Sequence, residues 1–228
     1  MNISLWLGML VLNFFLIMFF FRLWGKTGLT VWVNISCIVS NIQVIKTVDF
    51  FGFEATLGNI IYATCFLATD ILSEFYSEED SKKAVNMGLF SQISMTLLMQ
   101  CALFFIPSEN DFADPALHTI FKIMPRIAAG SLAAYYISNR FDIFSYNLLK
   151  RKTKGKYMWL RNNLSTMLSQ MLDTVVFTLS AFAGVYDRKI LLEIMLTTYF
   201  LKLTVAFADT PVLYLARHWI QKGKIKDK

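Results

Sequence analysis

Apolar windows of membrane-spanning length recur seven times along this chain, and that repetition leaves few folds open. They cover about 3–23, 29–45, 55–76, 84–106, 117 to beyond 137, 162–183 and 190–216. A bilayer core takes about 20 apolar residues per helical span. The windows do not alternate as barrel strands do, so helices are the spanning element. Of 228 residues, 56% are hydrophobic and 17% charged, more apolar surface than one soluble core can hide. The sequence predicts an all-α polytopic membrane bundle of about seven spans. It excludes a disordered chain, a disulfide scaffold and a typical cytosolic enzyme.

The net charge is +6, and its placement reads as orientation rather than nucleic-acid binding. Loops one, three and five and the C-terminus hold fifteen basic residues, including Arg22, Lys26, Lys82, Lys83, the run from Lys150 to Arg161, and the tail from Arg217. The other side holds three, Lys46, Arg188 and Lys189, and the acids Glu109, Asp111 and Asp114. This predicts a multi-pass cell-membrane protein with its N-terminus outside and its C-terminus cytoplasmic. The first window has no preceding Lys or Arg and is too long for a signal-peptide core, so it reads as a true span. Cys37, Cys65 and Cys101 lie in apolar runs without metal spacing and read as small buried hydrophobes. The basic loop favours anionic lipid. The segment 142–149 reads as an interfacial extension of the fifth helix.

Ionisable residues within spans are costly and demand a reason. In the third window Asn59, Tyr62, Phe66, Asp70 and Glu74 recur at steps of three and four, so they share a helix face. In the sixth, Asn163, Thr166, Gln170, Asp173 and Phe177 do the same, with Asp173 near the centre. The seventh carries Tyr199, Lys202, Ala206 and Asp209 on one face, and the fifth carries Arg126 above Gly130 and Ala133. Helix–helix hydrogen bonding and mutual ion pairing account for part of this pattern. Polar faces on four of seven spans favour an intramembrane site.

His118 and His218 both lie at span ends, and no metal motif, P-loop, dinucleotide fingerprint or nucleophile elbow occurs, so neither metal nor cofactor is expected. Carboxylates, amides and aromatic faces suit a planar, hydrogen-bonding heterocycle. A carboxylate can accept two N–H bonds from a guanine-like edge, and a ring such as Phe66 or Tyr62 can stack on it.

The run from Tyr62 through Asp70 and Glu74 to Tyr76, with Lys82 to Ala84, resembles the queuosine precursor transporter family. Three further blocks share the resemblance: Pro125 to Ser131 running on to Asp142; Trp159, Asn163, Thr166, Gln170 and Asp173; and Lys202 with Asp209 to Pro211. Ser77 stands where the family usually has Gly. The resemblance implies import of 7-deazaguanine compounds for queuosine in tRNA: queuine, or 7-cyano- or 7-aminomethyl-7-deazaguanine. It also implies a fold similar to the six-helix substrate-binding subunits of energy-coupling-factor transporters, working without a dedicated ATPase. The chain then divides into an extra N-terminal span (1–28), a six-helix core (29–220) and a basic tail (221–228). Asp70, Asn163, Gln170 and Asp173 are expected to read the ligand, with Tyr62, Phe66 and Tyr199 as lining. Glu74, Arg126, Lys202 and Asp209 are expected either to touch it or to relay charge. The partners are the small molecule and lipid, not nucleic acid; a homodimer stays open. The competing readings are an ATPase-dependent substrate-binding subunit, an intramembrane enzyme, and a structural protein whose polar stripes only join helices.

Overall fold

The computed structural model describes residues 2–50, 52–154, 156–184 and 186–225. The last three residues of the basic tail therefore lie outside the described residues. Helix α1 (Asn2–Gln43) covers the first two apolar windows and breaks at Gly25, whose φ of 53° favours glycine. Its two arms fold back on each other: a Cβ on Gly28 would meet the Phe20 carbonyl oxygen at 2.1 Å. Phe20 and Trp32 pack edge to face across the arms, 6.0 Å apart.

A short antiparallel hairpin follows, β1 (Thr47–Phe50) on β2 (Phe53–Thr56), with Thr47 opposite Thr56. The third window thus opens in a strand, and its helix, α2 (Asn59–Phe75), begins only after Gly58. Gly58 has φ 94°, and a Cβ there would lie 2.6 Å from the Ser40 carbonyl oxygen. Residues 59–72 of α2 are all buried, so this helix is enclosed on every side rather than along one polar face. Helix α3 (Glu78–Ala102) starts at Ser77, whose hydroxyl caps the Asp80 N–H at 3.0 Å.

The fifth window is split. Helix α4 (Asp114–Phe121) ends before α5 (Met124–Lys152), and a proline opens each. Helix α5 then runs unbroken to Lys152, so residues 142–149 extend the fifth helix as expected, and Asp142 is buried. Helices α6 (Met158–Phe182) and α7 (Arg188–Gln221) complete the bundle. Cys37 and Cys65 are buried as expected, but Cys101, in the last turn of α3, is exposed.

Polarity is inverted relative to a water-soluble fold. Arg161 is 0%, Asp173 1% and Lys202 2% exposed, while Phe90 and Leu98 on α3 are each 70% exposed. Apolar outer faces with ionic groups inside are what a bilayer demands. Among the described residues, α1 and α7 are long and apolar enough by composition alone to cross a membrane. Basic groups gather at one end of the bundle. Lys26 pairs with Asp80 at 3.3 Å, Lys150 with Glu74 at 3.4 Å, and Arg22 stacks over Trp219.

Candidate functional site

A small pocket opens between helices at the end of the bundle away from that basic cluster, with room for about one or two water molecules. Asn41 of α1, Asn59 and Tyr62 of α2, Ser131 of α5, Asp173 and Phe177 of α6, and Lys202 of α7 line it. Asp173 is its hub. Oδ1 accepts from the Tyr62 hydroxyl at 2.6 Å and the Ser138 hydroxyl at 3.0 Å, and Oδ2 accepts from the Lys202 ammonium. Lys202 Nζ also lies 4.9 Å from the Tyr62 ring centroid, a cation–π contact that is strong when water is excluded. The i, i+4 spacing of Asp173 and Phe177 puts carboxylate and ring one above the other on the same wall.

Below the cavity, about 10–12 Å along α2 and α7 at 1.5 Å per residue, lies a second polar layer. Asp70 of α2 and Asp142 of α5 come within hydrogen-bonding reach of each other, and Asp209 of α7 is close to both. Ser169 donates to Asp142 at 2.7 Å and Asn162 to Asp209 at 3.2 Å. A third layer closes the basic end of the bundle. Glu74 accepts two bonds from Arg161 at 3.0 Å and one from the Tyr146 hydroxyl at 2.7 Å.

The residues expected from sequence thus fall into separate groups. Tyr62, Asp173 and Lys202 meet at the cavity. Asp70 and Asp209 meet in the middle layer, and Glu74 in the third. Gln170 is buried with neither amide atom bonded to a described residue. Asn163 bonds Thr210 at 3.1 Å, joining α6 to α7. Phe66 is fully buried against the edge of Tyr62, behind the cavity wall, and Tyr199 bonds the Met167 carbonyl at 3.3 Å. Arg126 is exposed on the first turn of α5 and donates to the Ala183 carbonyl at 2.5 Å, away from the buried charges. The break before α5 places it there. Sequence reasoning passed over Asn41, Ser131, Ser138, Asp142 and Arg161. Asp142 is eleven residues beyond Ser131, three helical turns on, which would have aligned the two.

An apolar-sided helix bundle with an ionic interior and a lined cavity is a membrane transport protein by class. The chain belongs to the family described as "Putative vitamin uptake transporter", whose model matches residues 56–216. It is 39% identical over 220 residues, 96% of each chain, to the "Probable queuosine precursor transporter" of Bacillus subtilis. A protein of the same description from Haemophilus influenzae is 25% identical, over 82% of this chain and 66% of its own. The "Queuosine precursor transporter" of Escherichia coli is 25% identical over 80% and 68%. No solved structure matches.

Proposed function

We propose that this chain is an integral membrane transporter, not an enzyme, that imports 7-deazaguanine precursors of queuosine through the Asp173 cavity. The observation that carries the reading is the 39% identity to a queuosine precursor transporter along nearly the whole of both chains. The cavity supplies suitable chemistry. Of about four acceptor positions on a carboxylate, Asp173 uses three on Tyr62, Ser138 and Lys202. The N–H edge of a guanine-like base would take the fourth and compete with Lys202. Asn41 and Asn59 offer amide groups, and Phe177 a ring face, to the rest of a planar ligand.

The proposed topology is seven spans, with the basic end in the cytoplasm and the cavity toward the outside. Charge asymmetry supports it. The N-terminal arm of α1 is then an additional span folded onto a six-helix core, and no ATPase subunit is required. Ligand binding at Asp173 would loosen the ion pair joining α6 to α7, which gives the cycle a first step.

The test uses a cell that neither makes queuosine nor imports its precursors but retains the converting enzymes. This chain is expressed alone and each of the three deazaguanine compounds is supplied at low concentration. Queuosine-modified tRNA is expected with at least one, and little with Asp173→Asn. No modified tRNA despite verified membrane expression would refute self-sufficient import and favour a subunit that needs ATPase partners.

A further inference from the structure

The middle layer has no function in the reading above. Asp70, Asp142 and Asp209 come from three different helices and are each at most 2% exposed. The basic groups nearby are committed elsewhere: Arg161 to Glu74, and Lys202 to Asp173. Three carboxylates in one dry layer cannot all be ionised, because like charges at short range in a low dielectric repel strongly. A proton on one of them, or a bound cation, would relieve that repulsion.

The surrounding hydrogen bonds indicate what. Asn162 Oδ1 is buried and no donor of a described residue reaches it, while the Thr166 hydroxyl and both ends of the Gln170 amide, which can donate as well as accept, are buried and unbonded. Asn162 is in the cluster itself, since its Nδ2 bonds Asp209. Thr166 is one turn from Asn162 and three residues from Ser169, which bonds Asp142, so it faces the same layer. Asp70 Oδ2 and Asp209 Oδ2 likewise lack a donor. Asp70 Oδ2, Asp209 Oδ2 and Asn162 Oδ1 can only accept as they stand, and a protonated carboxyl supplies a donor among them. Among the described residues, no group of acids, histidines or cysteines has the convergence needed to hold a metal ion.

We infer that the Asp70–Asp142–Asp209 layer is a proton-binding site, with one proton shared between Asp70 and Asp142, and that its loading and release couple substrate import to a proton gradient. The coupling half rests on the import reading; the proton half does not. The titratable groups that face the layer, Glu74 and Tyr146, lie on its basic side. On α2, Glu74 is held by Arg161 of α6 and Tyr146 of α5. From α1 and α3, Lys26 and Asp80 pair with each other nearer the basic end. Release toward that end would place the proton one layer from the Glu74 network.

Two measurements on the purified full chain separate the halves. Infrared spectroscopy in detergent, at neutral pH and without ligand, is expected to show the carbonyl stretch of a protonated carboxylic acid, lost in both Asp70→Asn and Asp142→Asn. Absence of that band in the unsubstituted protein overturns the proton site. In proteoliposomes, an inward proton gradient is expected to raise the initial uptake of radiolabelled 7-cyano-7-deazaguanine, 7-aminomethyl-7-deazaguanine or queuine at least several-fold, and a sodium gradient to leave it unchanged. Uptake indifferent to the proton gradient, or driven by sodium, overturns the coupling while import stands. The band with no uptake of any of the three upholds the proton site and refutes import. Asp142→Asn is expected to abolish the gradient response. The unsubstituted protein alone decides both halves if that variant fails to fold.

Discussion

The buried Asp173–Lys202 pair makes a quantitative prediction about stability. In Lys202→Met the ammonium goes and the carboxylate stays, with 1% exposure and only the Tyr62 and Ser138 hydroxyls as donors. Breaking a buried pair from one side costs about 3–5 kcal/mol. Two hydroxyl bonds to the remaining charge keep this near the lower bound, about 3 kcal/mol. In a chain of this size that lowers Tm by roughly 6–12 °C. Asp173→Asn strands the cation instead. Lys202 keeps its place over the Tyr62 ring at 4.9 Å, and a desolvated cation–π contact returns about 2 kcal/mol. Its cost is accordingly smaller, about 1–3 kcal/mol.

The double variant Lys202→Met, Asp173→Asn buries no charge at this point, so it should cost less than the two single changes together. Unfolding of the purified protein in detergent, followed by tryptophan fluorescence, gives all three values. A coupling of about 2 kcal/mol is expected. Single effects that add to within about 0.5 kcal/mol would refute the pair, since that is the behaviour of sites that do not touch. Uptake should separate the roles further: the double variant regains stability but not import, because Asp173 is still missing.

Three further outcomes follow from the fold. Gly28→Ala drives a Cβ into the Phe20 carbonyl, a backbone atom that cannot move aside, so the arms of α1 should separate and yield of folded protein fall sharply in size-exclusion chromatography. Glu74→Ala leaves Arg161 buried without its carboxylate, at about 3–5 kcal/mol in thermal unfolding; Glu74→Gln, which can still accept from Tyr146, should lose less. Asp80 is held below the usual carboxylate range by the Ser77 hydroxyl and then by Lys26. A depressed pKa gives stability that is present above the unfolded value, about 4, and lost as pH falls through the folded value. Ser77→Ala should therefore flatten the acid limb of the pH–stability curve, besides removing a cap that contributes about 1 kcal/mol.

The helices were legible because hydropathy is a property of windows, and the apolar windows became α1, α2, α3, α5, α6 and α7. The breaks were less so. Nothing in the hydropathy near Ala55 separates a strand from a helix, yet Gly52 in the turn and Gly58 after β2, both at positive φ, bracket the second strand. Asp173, Tyr62 and Lys202 were legible as a polar face, and they do converge. Helical spacing gives the face of one helix, however, and says little about depth against its neighbours. That is why Asp70 and Asp173 looked like one site and lie in two layers. It is also why Arg161, counted with the basic loop, is the most buried cation of the bundle. Phe66 shares the helix face of Tyr62, but α2 is enclosed on all sides, and of these two rings Tyr62 alone lines the cavity.

The three layers differ in how their charges balance, and this difference bears on the order of events in transport. Asp173 and Lys202 cancel at the cavity, so a neutral heterocycle can exchange with Lys202 there without leaving a net charge in the membrane. Glu74 faces both Arg161 and Lys150, so its ionised carboxylate joins α2 to α5 and α6 at the basic end. The acids between them come from α2, α5 and α7, so on the proposed proton site their loading would act on the packing of those three helices. Helices α2 and α7 run through both the cavity and the acid layer, as Tyr62 with Asp70 and Lys202 with Asp209 show. A change in Lys202 contacts at the top is thus carried by a rigid helix about 10 Å to Asp209. On the proposed function and proton site, loading of the cavity and protonation of the acids act on the same two helices, so each would alter the other's equilibrium.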